Sequence, residues 1–212
     1  HVVGLARENG LDLFAEHHDF RKDRPPGVSF EEHARNVRYR ILDEIAASSG
    51  FNKIATAHTF DDQAETILLR ILSGTGIHGL RGIRPRRNNI IRPLLTVTSA
   101  EVYAYLKAHD IVWHEDSSNR DLSFSRNFIR HRVLPLVRQK FRTADDSLVS
   151  LGEVADETMS LLDSMFNEIH PGLFEASDAA LLVDAGLLTG NPPAFNHAIS
   201  SAIRAVSYTH LR

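Results

Sequence analysis

Apolar positions along the chain switch between a period of two and a period of about 3.6, and each switch marks an element. Val2 to Asn9 reads as a helix stopped by Gly10, and Leu11 to His17 has the alternation of a strand. Asp19 to Gly27 is a charged, proline-containing loop. Ser29, with Glu32 three residues on, caps a helix to about Ser48, stopped by Gly50, whose buried face would be Phe30, Ala34, Val37, Ile41, Leu42 and Ile45. Lys53 to Ala57 suits the end of a buried strand. From Asp61 the spacing turns helical, with Ala64, Ile67, Leu68, Ile71 and Leu72 on one face. After a glycine turn, Gly74 to Gly82, come a basic loop from Arg84 to Asn89 and a short strand, Ile90 to Leu95, closed by Pro93. Ser99 caps a helix from Ala100 to His109 with Val102, Tyr105 and Leu106 inward, followed by a polar loop from Trp113 to Asp121. In Ser125 to Pro135 the residues Phe128, Ile129, Val133 and Leu134 pack while Arg126, Asn127 and Arg130 are exposed. A long amphipathic helix, Asp145 to Ile169, would turn Leu148, Leu151, Val154, Ala155, Thr158, Leu161, Leu162 and Met165 inward. A strand from Ala180 to Ala185 and a helix from Pro193 to Val206 complete the pattern, and Ser207 to Arg212 fits no period and reads as a non-native tail.

The handover from strand to helix at Ala55 to Gly76 carries the densest chemistry. In open α/β sheets ligands bind at the carboxyl ends of strands. His58, Asp61, Asp62 and Glu65 cluster there, and one helical turn puts Asp62 and Glu65 on a common face. Helix capping alone can explain an acidic pair at this position. It leaves unexplained three carboxylates and a histidine within eight residues, followed by Gly74, Gly76 and Gly79, where backbone can approach a ligand. Such a cluster can grip an ammonium group, hold Mg²⁺ or position a phosphate ester, and spacing does not choose among them.

Composition narrows the field. The 212 residues suffice for one sizeable core and a smaller appended unit. No apolar run approaches a membrane span, so no membrane partner is expected, and the absence of cysteine excludes disulfides, Cys-zinc sites and thiol chemistry. That fits a reducing, cytoplasmic setting. The net charge of −3 conceals an asymmetry: Arg70 to Arg142 holds 14 Lys or Arg against 5 Asp or Glu, and the rest of the chain holds 10 against 22. A basic middle between acidic ends suits a polyanion as well as it suits a solvated surface.

Six segments, in order, carry a resemblance: Ala34-Arg-Asn-Val-Arg-Tyr-Arg, Ala57-His-Thr-Phe-Asp-Asp-Gln-Ala-Glu-Thr, Ser73-Gly-Thr-Gly-Ile-His-Gly-Leu, Ile91-Arg-Pro-Leu-Leu, Trp113-His-Glu-Asp-Ser-Ser-Asn and Arg126-Asn-Phe-Ile-Arg-His-Arg-Val-Leu-Pro. Together they resemble the tRNA(Ile)-lysidine synthase family of PP-loop ATP pyrophosphatases. The resemblance implies an α/β fold, a parallel sheet flanked by helices of the adenine nucleotide alpha hydrolase type, Rossmann-like, with a mainly helical C-terminal extension. It places a partial synthetase core at 1–135, a helical subdomain at 136–206 and the tail at 207–212. The implied reaction adenylates C2 of the wobble cytidine of tRNA(Ile) with ATP and Mg²⁺, and free L-lysine then displaces AMP.

By this resemblance Asp62 and Glu65 bind lysine, and Asp62 is a stronger candidate than Asp61. His58 touches the phosphate or the adenylated base, and Arg35 or Arg38 stabilises charge on the α-phosphate. Arg92, Asn119, Arg126, Asn127, Arg130, His131 and Arg132 are the expected tRNA or phosphate contacts, and the metal ligands stay unassigned. A homodimer is compatible with the resemblance. The family's Ser-Gly-Gly-x-Asp-Ser loop does not occur in the sequence. The match therefore implies a chain truncated at its amino end and unable to bind ATP productively alone. A non-catalytic RNA-binding fragment and another PP-loop tRNA-modifying enzyme are the alternatives. Relatives of the tRNA thiolase kind use cysteines, which this chain lacks.

Overall fold

The structure, a computed structural model, describes residues 1–20, 22–169, 174–176 and 181–183. It divides into two compact units, one built from His1–Ile54 and the other beginning at Ala55. The long amphipathic helix expected from Asp145 belongs to the second unit.

The first unit holds α1 (Val2–Glu8) and α2 (Phe30–Ser48). Ser29 caps α2 as expected, its hydroxyl accepting from the Glu32 N–H at 3.2 Å, and Gly50 follows the helix at a φ of +73°. Its buried positions are His33, Val37 and Ala46, while Phe30 is exposed. Leu11 to His17 is not a strand. Alternation produces a strand only where a neighbour takes up the backbone hydrogen bonds, and no described strand pairs with this stretch.

At the division lies β1 (Ile54–Ala55), and the second unit goes on to α3 (Phe60–Leu72), then α4 (Ile77–Leu80), β2 (Arg86–Arg87), β3 (Ile90–Ile91) and α5 (Ser99–Ala108). A 3-10 turn, Ser117–Arg120, precedes α6 (Ser125–Phe128), a π-helical turn over Ile129–Val133, α7 (Leu134–Lys140) and α8 (Ala144–Ile169); β4 (Phe174–Ala176) and β5 (Leu181–Val183) form an antiparallel pair. The result is an α/β fold. Its sheet runs β1-β3-β2, and β2 pairs antiparallel with β3, with Arg86 opposite Ile91 and Arg87 opposite Ile90. A two-residue turn, Asn88-Asn89, reverses the chain, and Asn88 takes a φ of +54°, a conformation Asn tolerates.

The core lies where α8 crosses α3 and α4. Ile67 and Leu134 are fully buried, with Ala64, Ile129, Val149, Ala155 and Met159 around them. At Gly152 a Cβ would lie 2.6 Å from Ile67 Cδ1 and 3.2 Å from the Leu80 carbonyl oxygen, so glycine lets the helices approach this closely. The buried stripe of α8 is therefore Val149, Gly152, Ala155 and Met159. The expected inward positions Leu151, Val154, Leu161, Leu162 and Met165 are exposed instead. Close approach at a glycine outweighs side-chain hydrophobicity in setting this face. None of the helices searched among the described residues is long and apolar enough to cross a membrane. The helix expected at Pro193 to Val206 and the tail at 207–212 lie outside the described residues.

Candidate active site

Thr59 begins the site. Its hydroxyl accepts from the Asp62 N–H at 3.4 Å, and the Asp62 carboxylate accepts from the Thr59 N–H at 2.8 Å and its hydroxyl at 3.1 Å. This reciprocal capping box starts α3. Asp62 is thus the third helical residue of the box rather than its cap, and Glu65 stands one turn further on. Asp61 turns away from the pair: its carboxylate accepts from the Ser99 N–H at 2.7 Å and from Arg138 at 3.4 Å. It ties α3 to the start of α5. That helix is capped by Thr98 with Glu101, one residue before the expected Ser99.

Opposite the acidic pair, α6 and the π-helical turn present Arg126 and Arg130. Arg126 donates to Asp62 Oδ1 at 3.1 Å and to Glu65 Oε2 at 3.1 Å. Arg130 donates to Asp62 Oδ1 at 2.9 Å and to both Glu65 oxygens, at 2.6 and 2.8 Å. Two guanidiniums therefore cross two carboxylates, and every cross pair is bonded. Charges balance within the quartet. Glu65 is only 2 % exposed, whereas each arginine side chain is about a third exposed, 31 % and 33 %. The hydrogen bond with Glu65 holds the Arg130 guanidinium above its ordinary value, and the Asp62 and Asp61 charges add to this against the opposing effect of burial. Both arginines were expected to be exposed contacts. Their partners lie some sixty residues away in sequence, and this geometry half-buries them. Single π-helical turns are frequent at functional sites, and this one carries Arg130.

The remaining expected residues separate. His58, half-buried between β1 and α3, pairs its Nδ1 with the Thr56 hydroxyl at 2.9 Å. Asn127 is not exposed. At 9 % exposure its amide donates to the carbonyls of Ser118 and Asp121, both at 2.9 Å, which fastens the 3-10 turn to α6. His131 Nε2 meets the Asn119 carbonyl at 2.8 Å on the same turn, and Arg132 is exposed. Arg92 is also inward, 5 % exposed and donating to the Arg84 carbonyl at 2.6 Å. Arg35, stacked over Tyr39 at 5.7 Å, and Arg38 belong to α2 of the first unit. In the glycine turn Gly74 takes a φ of +73°, Gly76 caps α4, and a Cβ on Gly79 would collide with Thr75. Gln63 and Arg70, which the pattern did not single out, hold this turn from α3. Gln63 Oε1 accepts from the Ile83 N–H at 2.6 Å, and Arg70 donates to the carbonyls of Gly79 and Gly82.

A resident metal does not fit this corner. The carboxylates of Asp61, Asp62 and Glu65 are each engaged by arginine or backbone N–H, and no group of three or more His, Cys, Asp or Glu among the described residues is placed to hold an ion. Within the quartet each carboxylate is paired with both guanidiniums.

A family model described as a PP-loop domain matches residues 1–137. The chain belongs to the PP-loop domain family. Curated proteins similar to it include a tRNA(Ile)-lysidine synthase of Chlorobaculum tepidum, 43% identical over 149 residues, covering 68% of this chain and 45% of the relative. One of Thermus thermophilus is 40% identical over 163 residues, covering 76% of this chain and 32% of the relative. One of Porphyromonas gingivalis is 34% identical over 184 residues, covering 85% and 40%. The chain thus spans less than half the length of these curated relatives. The PP-loop match ends within α7, and the quartet lies wholly inside it.

Proposed function

We propose that this PP-loop chain forms the lysine-receiving part of a tRNA(Ile)-lysidine synthase. In that reaction the C2 oxygen of the wobble cytidine attacks the α-phosphorus of ATP and releases pyrophosphate. The ε-amine of lysine then attacks C2, and AMP departs with the oxygen. Adenylation converts a poor leaving group into a good one, and what remains for the protein is to aim a neutral amine at the activated carbon.

The quartet of Asp62, Glu65, Arg126 and Arg130 is the observation that carries this reading. Its four charges are already paired, so a simple cation would have to strip an arginine from a buried carboxylate, leaving a charge unpaired. An amino acid avoids that cost. Its α-ammonium replaces a guanidinium at Asp62 or Glu65 while its carboxylate takes the guanidinium released, so charge stays balanced throughout. The ε-amine is left free to reach the base. Asp62 is the more accessible acid, with 19 % side-chain exposure against 3 % for Glu65, and it is the one expected to exchange partners. His58 beside it would donate a hydrogen bond to the phosphate or the base. By the family resemblance Arg35 or Arg38 would stabilise charge on the α-phosphate, and Asn119, His131 and Arg132 would contact the tRNA.

The test is a graft. The matching segment of the Chlorobaculum tepidum relative is replaced by this chain, and the product is assayed for transfer of labelled lysine to an unmodified tRNA(Ile) transcript. Incorporation with stoichiometric AMP release, requiring ATP, lysine and tRNA together, is the expected result. A folded graft that binds the transcript and incorporates no lysine supports the RNA-binding alternative instead.

A further inference from the structure

β1 ends at Ala55 and α3 begins at Phe60, and the short irregular link between them carries His58. Both ends of the link are pinned to β3 and the turns after it. The Thr56 N–H donates to the Ile91 carbonyl at 3.0 Å, and the Phe60 N–H donates to the Val97 carbonyl at 2.9 Å. Thr59 is taken up by the α3 capping box. The backbone beneath His58 is therefore held on either side. What remains to be set is the imidazole itself, meaning the way it faces and the nitrogen that bears its proton.

One side chain bears on both. The Thr56 hydroxyl lies 2.9 Å from His58 Nδ1, and both residues are half-buried. A neutral imidazole has one N–H and one acceptor nitrogen, so the bond made at one nitrogen decides what the other can do. A hydroxyl can either donate to Nδ1 or accept from it. Thr56 Oγ1 has no other hydrogen-bond partner among the described residues, so a hydroxyl that accepted from Nδ1–H would leave its own proton without a protein acceptor. Donation to Nδ1 uses that proton. It leaves the imidazole proton on Nε2, and there the ring can only donate.

We propose that Thr56 is a positioning residue that holds His58 in the Nε2-protonated tautomer. His58 then serves the reaction as a hydrogen-bond donor to the phosphate or the base, and not as a base that takes a proton from the amine. The proposal rests on the lysidine reading above and assigns, within it, the part played by His58.

The tautomer is read directly from the nitrogen and proton resonances of the full 212-residue chain labelled with ¹⁵N-histidine, at about pH 8.5, where an ordinary imidazole is neutral. The His58 signals are identified by their loss in His58→Gln. Wild type and Thr56→Ser should show a protonated Nε2 and a bare Nδ1. Thr56→Val, which keeps the branched shape and removes the hydroxyl, should show both tautomers. In the graft described above, Thr56→Val should transfer lysine roughly 3- to 10-fold more slowly, about the worth of one hydrogen bond, with the KM for lysine unchanged, and Thr56→Ser should restore the rate. A protonated Nδ1 in the wild-type chain overturns the proposal, and that measurement needs no variant to fold. So does a tautomer unchanged by Thr56→Val, or transfer by that variant at the wild-type rate, in which case the lysidine reading stands and only the part given to Thr56 is lost. If the wild-type graft transfers no lysine, the lysidine reading falls and the role of Thr56 in that reaction falls with it.

Discussion

Replacing Glu65 with Gln is expected to destabilise the second unit by about 3 kcal/mol, at the low end of the ~3–5 kcal/mol that breaking a buried ion pair costs when one charge is left uncompensated. Glu65 is 2 % exposed and accepts three hydrogen bonds from Arg126 and Arg130. Both arginines are about a third exposed and can recover some hydration, which argues for the low end. Gln keeps the volume, so the loss reports charge rather than a cavity. In urea the midpoint should fall with the slope unchanged. A second substitution, Arg130→Met, should recover part of the loss, since it removes a charge that the neutral amide would strand. A loss below about 0.5 kcal/mol, the size of an exposed pair's contribution, would mean that the quartet adds little to stability.

Gly82→Ala is expected to cost a similar amount, about 3 kcal/mol, for a different reason. Gly82 has a φ of +65°, where a side chain costs ~1–2 kcal/mol. A Cβ there would lie 2.6 to 2.8 Å from the side-chain amide of Gln63. Gln63 would have to leave the buried Ile83 N–H, at a further ~1–3 kcal/mol. The two contributions can be separated by a double-mutant cycle. In a Gln63→Ala background the collision is gone, and Gly82→Ala should cost only the backbone part. Equal costs in both backgrounds would show that Gln63 does not brace the turn.

Local chemistry was legible in the sequence, and partnership across the fold was not. Ser29 with Glu32 and Gly50 bound α2 as their types require, because a cap acts within four residues. The same short-range signal stands at Thr59-x-x-Asp62 and Thr98-x-x-Glu101, and it starts α3 at Phe60 and α5 at Ser99, each one residue before the expected position. His58, Asp62 and Glu65 stood out because they crowd one handover. That Arg126 and Arg130 cross the acidic pair depends on chain segments more than sixty residues apart, and that Asn127 turns inward to two carbonyls depends on how the loop six to nine residues before it folds back. Leu11 to His17 shows the limit of alternation, which states a preference but supplies no neighbour. On α8 the largest apolar residues lost the core to Gly152 and Ala155, a result of helix approach distance that no residue-by-residue hydrophobicity contains.

Titration of L-lysine into the wild-type chain and into Asp62→Asn, followed by calorimetry, tests the central claim that the quartet exchanges partners with an amino acid. Saturable binding by the wild type, weakened at least about tenfold in Asp62→Asn and comparably weakened for lysine methyl ester, which lacks the carboxylate, is the result this account expects. Equal binding of lysine by the two proteins, or of the ester and the free acid, would contradict it.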